Sequence, residues 1–215
     1  MARISSSKMR EHLKVYFIAG STNVSDPLPE VLQKAIDGGI TIFQYREKGD
    51  GALTGEAYVT LGKELKELCN KGGIPFIVND DVELALALGA DGVHIGQEDD
   101  NVLDVRQKIG DRILGVSAHT LEEARKALQD GADYLGVGPV FPTSSKNDTR
   151  EVCGPQFVAT LRGQGIDAPI VAIGGISITN AREVVEGKAD GLSVISAISQ
   201  AGDPREAAKQ LKEVW

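Results

Sequence analysis

The chain has 215 residues and a formal net charge of −8, with 41% hydrophobic and 25% charged residues. That length and balance suit one soluble domain with a substantial core, and the acidic excess speaks against broad binding to nucleic acid or anionic membranes. No run of about 18 apolar residues exists to cross a bilayer, and residues 1–14 are polar without the apolar stretch of a secretory signal, so a cytoplasmic protein is expected.

Short β-branched runs alternate with helical patterns along the whole sequence. A polar extension, 1–13, precedes a strand at 15–19 and a helix at 27–37. Strand–helix pairs follow at 41–45 and 54–70, 76–78 and 81–88, 92–95 and 101–109, and 113–116 and 120–130. The last three pairs are 134–137 and 154–163, 170–173 and 178–186, and 192–195 and 204–213. Eight units of about 27 residues lie near the minimum for a βα repeat. Gly89-Ala90-Asp91, Gly131-Ala132-Asp133 and Lys188-Ala189-Asp190 each join a helix to an apolar strand. Gly89 and Gly131 suit a left-handed cap, and Gly187 could serve the third unit. Asp26-Pro27 and Asp203-Pro204 read as helix starts, and Thr120 with Glu123 as a capping box. Even units, apolar strands and the absence of a large insertion favour an α/β fold that closes as a single (β/α)8 TIM barrel over 1–215.

In such a barrel the loops after the strands build the active end. After the second strand stands Gln44-Tyr45-Arg46-Glu47-Lys48. Alternation along an extended chain puts Gln44, Arg46 and Lys48 on one face, two cations and an amide suited to phosphate oxygens and a heterocycle edge. The plain alternative is a solvated turn in which Glu47 partners a neighbour. Asn79-Asp80-Asp81 follows the third strand and Gly96-Gln97-Glu98-Asp99 the fourth. Their carboxylates meet at one corner of the mouth, where Mg²⁺ could be held by one or two of them with waters and a substrate phosphate; each could equally cap the next helix. Past the fifth strand, Ser117 could donate to a phosphate, and His119 is an acid/base candidate or a turn residue. The spacings argue for no Ser-His-Asp or Cys-His arrangement, and the distant Cys69 and Cys153 read as buried or idle thiols. The long loop after the sixth strand carries Thr143, Ser144, Ser145 and Lys146 and suits a lid over an anion, unless it is only a polar connection. Gly174-Gly175 and Ile195-Ser196 lie where this architecture usually binds phosphate through backbone amides, although two glycines can also make a simple tight turn. Two anion sites in one mouth suggest the joining or exchange of two phosphorylated molecules.

With these motifs in this order, together with His94-Ile95-Gly96, Gly115-Val116-Ser117 and Ile173-Gly174-Gly175, the sequence resembles the thiamine-phosphate synthase (thiamine phosphate pyrophosphorylase) family from Val15 to Ala207. The resemblance implies a transferase that condenses 4-amino-5-hydroxymethyl-2-methylpyrimidine diphosphate with 4-methyl-5-(2-hydroxyethyl)thiazole phosphate, giving thiamine phosphate and pyrophosphate with Mg²⁺ as cofactor. It implies that Gln44, Arg46, Lys48, Asn79 and Lys146 hold the pyrimidine diphosphate, with Tyr45 and Glu47 in the same motif. Asp80 and Asp99 would bind the metal, with Ser117 beside the pyrophosphate. Thr143, Ser145, Gly175, Ile195 and Ser196 would hold the thiazole phosphate, with Ser144 in the same loop. Arg46, Lys48, Ser117 and Lys146 are the catalytic candidates. Where the family often has threonine this chain has Ser145, which keeps the hydroxyl. His94 would touch the pyrimidine or sit as a satisfied interior imidazole. The partners implied are the two small molecules, with no nucleic acid and no membrane; self-association is left open. A thiazole tautomerase of the same barrel group would rely on His119 without Mg²⁺, and Asn79, Asp80, Asp99 and Lys146 speak against it. A non-catalytic sensor of thiamine phosphates would differ by lacking turnover.

Overall fold

The computed structural model describes residues 3–97, 99–143 and 151–215. Eight parallel strands close into a barrel in chain order: β1 (Val15–Ala19), β2 (Ile42–Tyr45), β3 (Phe76–Asn79), β4 (Gly92–Ile95), β5 (Ile113–Ala118), β6 (Tyr134–Val137), β7 (Ile170–Ile173) and β8 (Gly191–Val194). β8 completes the ring by pairing with β1, Val15 opposite Leu192 and Tyr16 opposite Ser193. Alternation divides each strand between two cores. Val15, Phe17, Phe43, Phe76, Val93, Leu114, Leu135 and Leu192 pack outward against the helices. Tyr16, Ile18, Ile42, Ile77, Ile113, Tyr134 and Val171 fill the barrel.

Every predicted strand is present, with ends within two residues of expectation. The connecting helices are α2 (Leu28–Gly38), α3 (Gly55–Gly72), α4 (Val82–Leu88), α5 (Val102–Ile109), α6 (Leu121–Gln129), α7 (Gln156–Gly163) and α8 (Ala181–Glu186), and α10 (Pro204–Lys212) closes the series. Two α-helices among the described residues were not foreseen, α1 (Ser6–Leu13) in the polar extension and the short α9 (Ser196–Ser199) after β8, nor was the 3-10 turn at Ser21–Asn23. α1 buries Met9 and Leu13 completely, in the same cluster as the barrel interior. Only two of its eight residues are buried, too few for a recognisable stripe.

The three Ala-Asp units have a common purpose. Asp91, Asp133 and Asp190 sit before even-numbered strands, and each carboxylate accepts from a backbone N–H at the start of the preceding odd-numbered one: Phe76 at 2.9 Å, Leu114 at 2.9 Å and Ile170 at 2.8 Å. Asp133 also pairs with Arg106 at 2.6 Å, and Asp190 with Arg162 and Arg10 at 2.6 Å each. Gly89 takes the left-handed conformation, but Gly187 does not, and Lys188 adopts the positive φ of 68° instead. Gly187 answers a different need, because a Cβ there would lie 2.4 Å from the Pro155 carbonyl oxygen. Asp203 caps α10 as expected. Asp26 does not cap α2: Pro27 is extended (ψ 125°) and takes the cap position itself, so α2 begins at Leu28 and the Glu30 and Val31 amides donate to the Pro27 carbonyl. In the Thr120 box the hydroxyl accepts from Glu123 N–H, while Glu123 reaches back to the His119 N–H rather than to that of Thr120.

The closeness of α1 to the barrel gives a stability prediction. A Cβ on Gly191 would sit 1.8 Å from the Leu13 carbonyl oxygen, a backbone atom that cannot swing aside. Gly191→Ala is expected to lower unfolding free energy by about 1–3 kcal/mol or more, the usual cost of overpacking. Denaturant unfolding that matches the wild type would show that α1 does not press on β8 in this way.

Candidate active site

The ends of the strands converge on a cavity of about 180 Å³ lined by residues from β2 through β8. Its basic corner comes from β2. Arg46 and Lys48 both line it, as alternation predicts. Gln44, assigned to the same face, is 1% exposed inside the barrel, donates to the Tyr16 hydroxyl at 2.7 Å and does not line the cavity. Tyr45 and Glu47 do not line it either. Tyr45 points outward and donates to the Tyr58 carbonyl at 3.2 Å. Glu47 turns back to accept from the Ser21 N–H (2.8 Å), the Ser21 hydroxyl and the Leu53 N–H (2.9 Å), stapling together the loops after β1 and β2. The same alternation that aims Arg46 and Lys48 at the cavity sends these two elsewhere. Burial pulls the Arg46 guanidinium below its ordinary value, and the nearby Asp80 charge works against that shift.

The acidic corner lies beside it. Asp81 caps α4 by accepting from Leu84 N–H at 2.8 Å, which leaves Asp80 for the cavity. Asp80 holds a left-handed backbone (φ 61°), unusual for a residue with a side chain. Its N–H donates to the His94 carbonyl at 2.8 Å, while its carboxylate accepts from Asn79 Nδ2 at 2.6 Å and pairs with Lys48. Asp99 caps no helix, since Asn101 does that for α5. It folds back over Gly96 and accepts that N–H at 2.7 Å; a Cβ at 96 would come within 2.8 Å of its Oδ2. The two carboxyls interact directly. Burial and Asp99 push Asp80 up while Lys48 pulls it down; Asp99 is also raised by burial but ends low through Asp80 and the Gly96 amide. Two hard-oxygen donors crowded enough to perturb each other fit a divalent cation such as Mg²⁺. Among the described residues no group of three or more His, Cys, Asp or Glu side chains forms a larger candidate.

Across the cavity lie Thr143, Gly175, Ile195 and Ser196. Gly174 and Gly175 have φ of 100° and 64°, and a Cβ at either would meet the β6 loop, 2.6 Å from Pro139 Cα or 2.4 Å from the Pro142 carbonyl oxygen. Only glycine fits at both points, and both line the cavity. Ser144, Ser145 and Lys146, together with Glu98, lie outside the described residues.

A feature that sequence spacing missed crosses the floor. Ser117 Oγ is 3.0 Å from His94 Nε2, and His94 Nδ1 is 3.0 Å from the Tyr134 hydroxyl. Residues 94 and 117 are 23 apart, so only the registration of β4 with β5 reveals the contact. The one signal available was glycine at positions 115 and 136, inward-facing positions left without side chains. His94 is thus hydrogen-bonded in the interior and also lines the cavity. His119 lines it too, with Nδ1 2.7 Å from the Gly138 carbonyl.

Comparison with known proteins decides the family. The model of the thiamine monophosphate synthase family matches residues 15–198. The chain belongs to that family. It is 60% identical over 214 residues to a thiamine-phosphate synthase of Bacillus cereus (strain ATCC 10987 / NRS 248), covering 99% of this chain and 95% of that protein. It is 58% identical over 211 residues to the thiamine-phosphate synthase of Geobacillus thermodenitrificans, covering 98% and 96%. Among solved structures, thiamine phosphate pyrophosphorylase from Pyrococcus furiosus superposes with a TM-score of 0.85 at 37% identity, covering 96% of each chain. Family membership makes the protein a transferase with the barrel described above. No helix among the described residues is long and apolar enough to cross a membrane.

Proposed function

We propose that the protein joins an aminopyrimidine carrying a methyl diphosphate to the ring nitrogen of a thiazole phosphate, forming thiamine phosphate and releasing pyrophosphate. The observation that carries this reading is the division of one cavity into two unlike halves. Arg46, Lys48, Asp80 and Asp99 line one, and the glycine-opened backbone of Gly175 with Ile195 and Ser196 lines the other. The first half suits a diphosphate and the second a monophosphate.

Asp80 and Asp99 would hold Mg²⁺, which when bound would offset negative charge on the diphosphate. Asn79 orients the Asp80 carboxylate through its 2.6 Å hydrogen bond. Arg46 and Lys48, joined by Lys146 of the β6 loop, would stabilise the charge that gathers on the leaving group as its bond to carbon breaks. Ser117 would donate to that group from the floor. Thr143, Gly175, Ile195 and Ser196, with Ser145 of the same loop, would hold the thiazole phosphate so that the ring nitrogen lies in line with the cleaved bond. Resonance from the aminopyrimidine would stabilise the carbon between departure and attack, so no enzyme nucleophile is required. Neither cysteine lines the cavity, and burial raises both thiols, which suits that scheme.

The test is to mix the two substrates with the protein and Mg²⁺ and measure thiamine phosphate and pyrophosphate in equal amounts. Omitting the metal is expected to suppress both. Failure to form either product with both substrates and the metal present would refute the reading.

A further inference from the structure

From the barrel interior up to the cavity lining, five side chains form one continuous hydrogen-bonded line. Gln44 Nε2 donates to the Tyr16 hydroxyl at 2.7 Å, and that hydroxyl is 2.7 Å from the Tyr134 hydroxyl. Tyr134 is 3.0 Å from His94 Nδ1, and His94 Nε2 is 3.0 Å from Ser117 Oγ. The barrel is hollowed to admit them. A Cβ on Gly115 would lie 2.1 Å from Tyr134 Cζ, 2.3 Å from its hydroxyl and 2.5 Å from His94 Nδ1. A Cβ on Gly136 would lie 3.0 Å from His94 Cε1. Burial pushes both phenols well above their ordinary value, so both keep their hydrogens.

The line has a direction. An amide nitrogen can only donate, so the Tyr16 oxygen accepts from Gln44; its own buried hydrogen cannot go back to that nitrogen, and the Tyr134 oxygen is the acceptor within reach. The Tyr134 hydrogen then points to His94 Nδ1, which must accept. A neutral imidazole that accepts at Nδ1 carries its hydrogen on Nε2, facing Ser117. Ser117 Oγ accepts there, and its hydrogen is left for the cavity. We propose that Gln44, Tyr16 and Tyr134 act as a one-way donor relay that holds His94 as the Nε2–H tautomer, making Ser117 a donor to the departing diphosphate. Tyr134 is then a positioning residue for the reaction, and the inference rests on the function proposed above. The Ser117–His94 contact otherwise resembles a nucleophilic pair. The relay gives it the opposite sense, because an imidazole with hydrogen on Nε2 cannot take the serine proton.

Two measurements test it. In ¹⁵N-labelled wild-type protein without substrate, NMR is expected to show His94 protonated at Nε2 and bare at Nδ1, with the signal assigned by its loss in His94→Gln. Protonation at Nδ1 would overturn the relay, and this readout needs neither turnover nor a folded Tyr134 variant. In steady-state kinetics, Tyr134→Phe is expected to lower kcat roughly tenfold while KM moves within about twofold. Placed in a Ser117→Ala background, the same change should lower kcat by no more than about twofold further, because Tyr134 acts through that hydroxyl. Full additivity of the two losses, or wild-type kcat in Tyr134→Phe, would overturn the inference while leaving the proposed function standing. If the wild type forms no thiamine phosphate, the functional reading falls and this inference with it.

Discussion

Lys146→Ala and Arg46→Ala are each expected to lower kcat by on the order of 10²-fold or more, the usual cost of removing one preorganised donor from a developing charge. In a dissociative substitution the protein contributes little covalent chemistry. The barrier then depends on how well the leaving group's charge is neutralised as it forms. Arg46 is suited to this because it is held partly away from water, where a charge interaction is worth more, and the adjacent Asp80 keeps it from being isolated. In the proposed reaction Lys146, from the segment that follows β6 in the sequence, would add a further cation. Both substrates should be varied, since a change confined to KM would place the cation in ground-state binding instead. Wild-type turnover in Lys146→Ala would remove that lysine from the mechanism.

Replacing Asp80 or Asp99 with alanine should raise the Mg²⁺ concentration needed for half-maximal activity by more than the roughly 10–100-fold typical of losing an outer-shell partner. The two carboxyls perturb each other's protonation, so losing either changes the site as a whole. A pH dependence follows with a definite sign. Burial and Asp99 hold Asp80 above its ordinary value, so the proton competes with a cation at a higher pH than for a free carboxylate. The Mg²⁺ requirement should therefore grow as pH falls toward the Asp80 value, and this growth should be weaker in Asp80→Asn. A Mg²⁺ titration unchanged in both alanine variants would count against a shared cation. Asp81→Ala is the contrasting case, because that carboxylate caps α4, and its loss should appear in stability, by about 1 kcal/mol, rather than in metal demand.

Much of the site could be read in the primary structure because a βα barrel turns order along the chain into place around a ring. Once the strands at 76–79 and 92–95 are recognised as neighbours, Asp80 and Asp99 must emerge at adjacent points of one rim. By the same logic Gly175 and Ile195 fall together on the far side. Alternation correctly aimed Arg46 and Lys48. It went one step too far with Gln44, which lies deep enough to meet Tyr16 before it meets the cavity. Tyr45 and Glu47 share the motif but face the helices and the β1 loop, so membership of a conspicuous run did not make them part of the site.

The amino-acid order alone determined the strand count, the parallel closure, the end of the barrel that carries the cavity and the separation of cations, carboxylates and glycines among its loops. Each of these follows from local periodicity and turn chemistry, which act over a few residues. Only the tertiary structure decided which of Asp80 and Asp81 is a cap, how α1 packs at the barrel interior and that His94 joins Ser117 to Tyr134. Those outcomes depend on the registration of one strand against the next and on atoms meeting within about 3 Å. Contacts between residues 16, 44, 94, 117 and 134 leave no periodic trace in a chain, because nothing local requires them until the ring is closed.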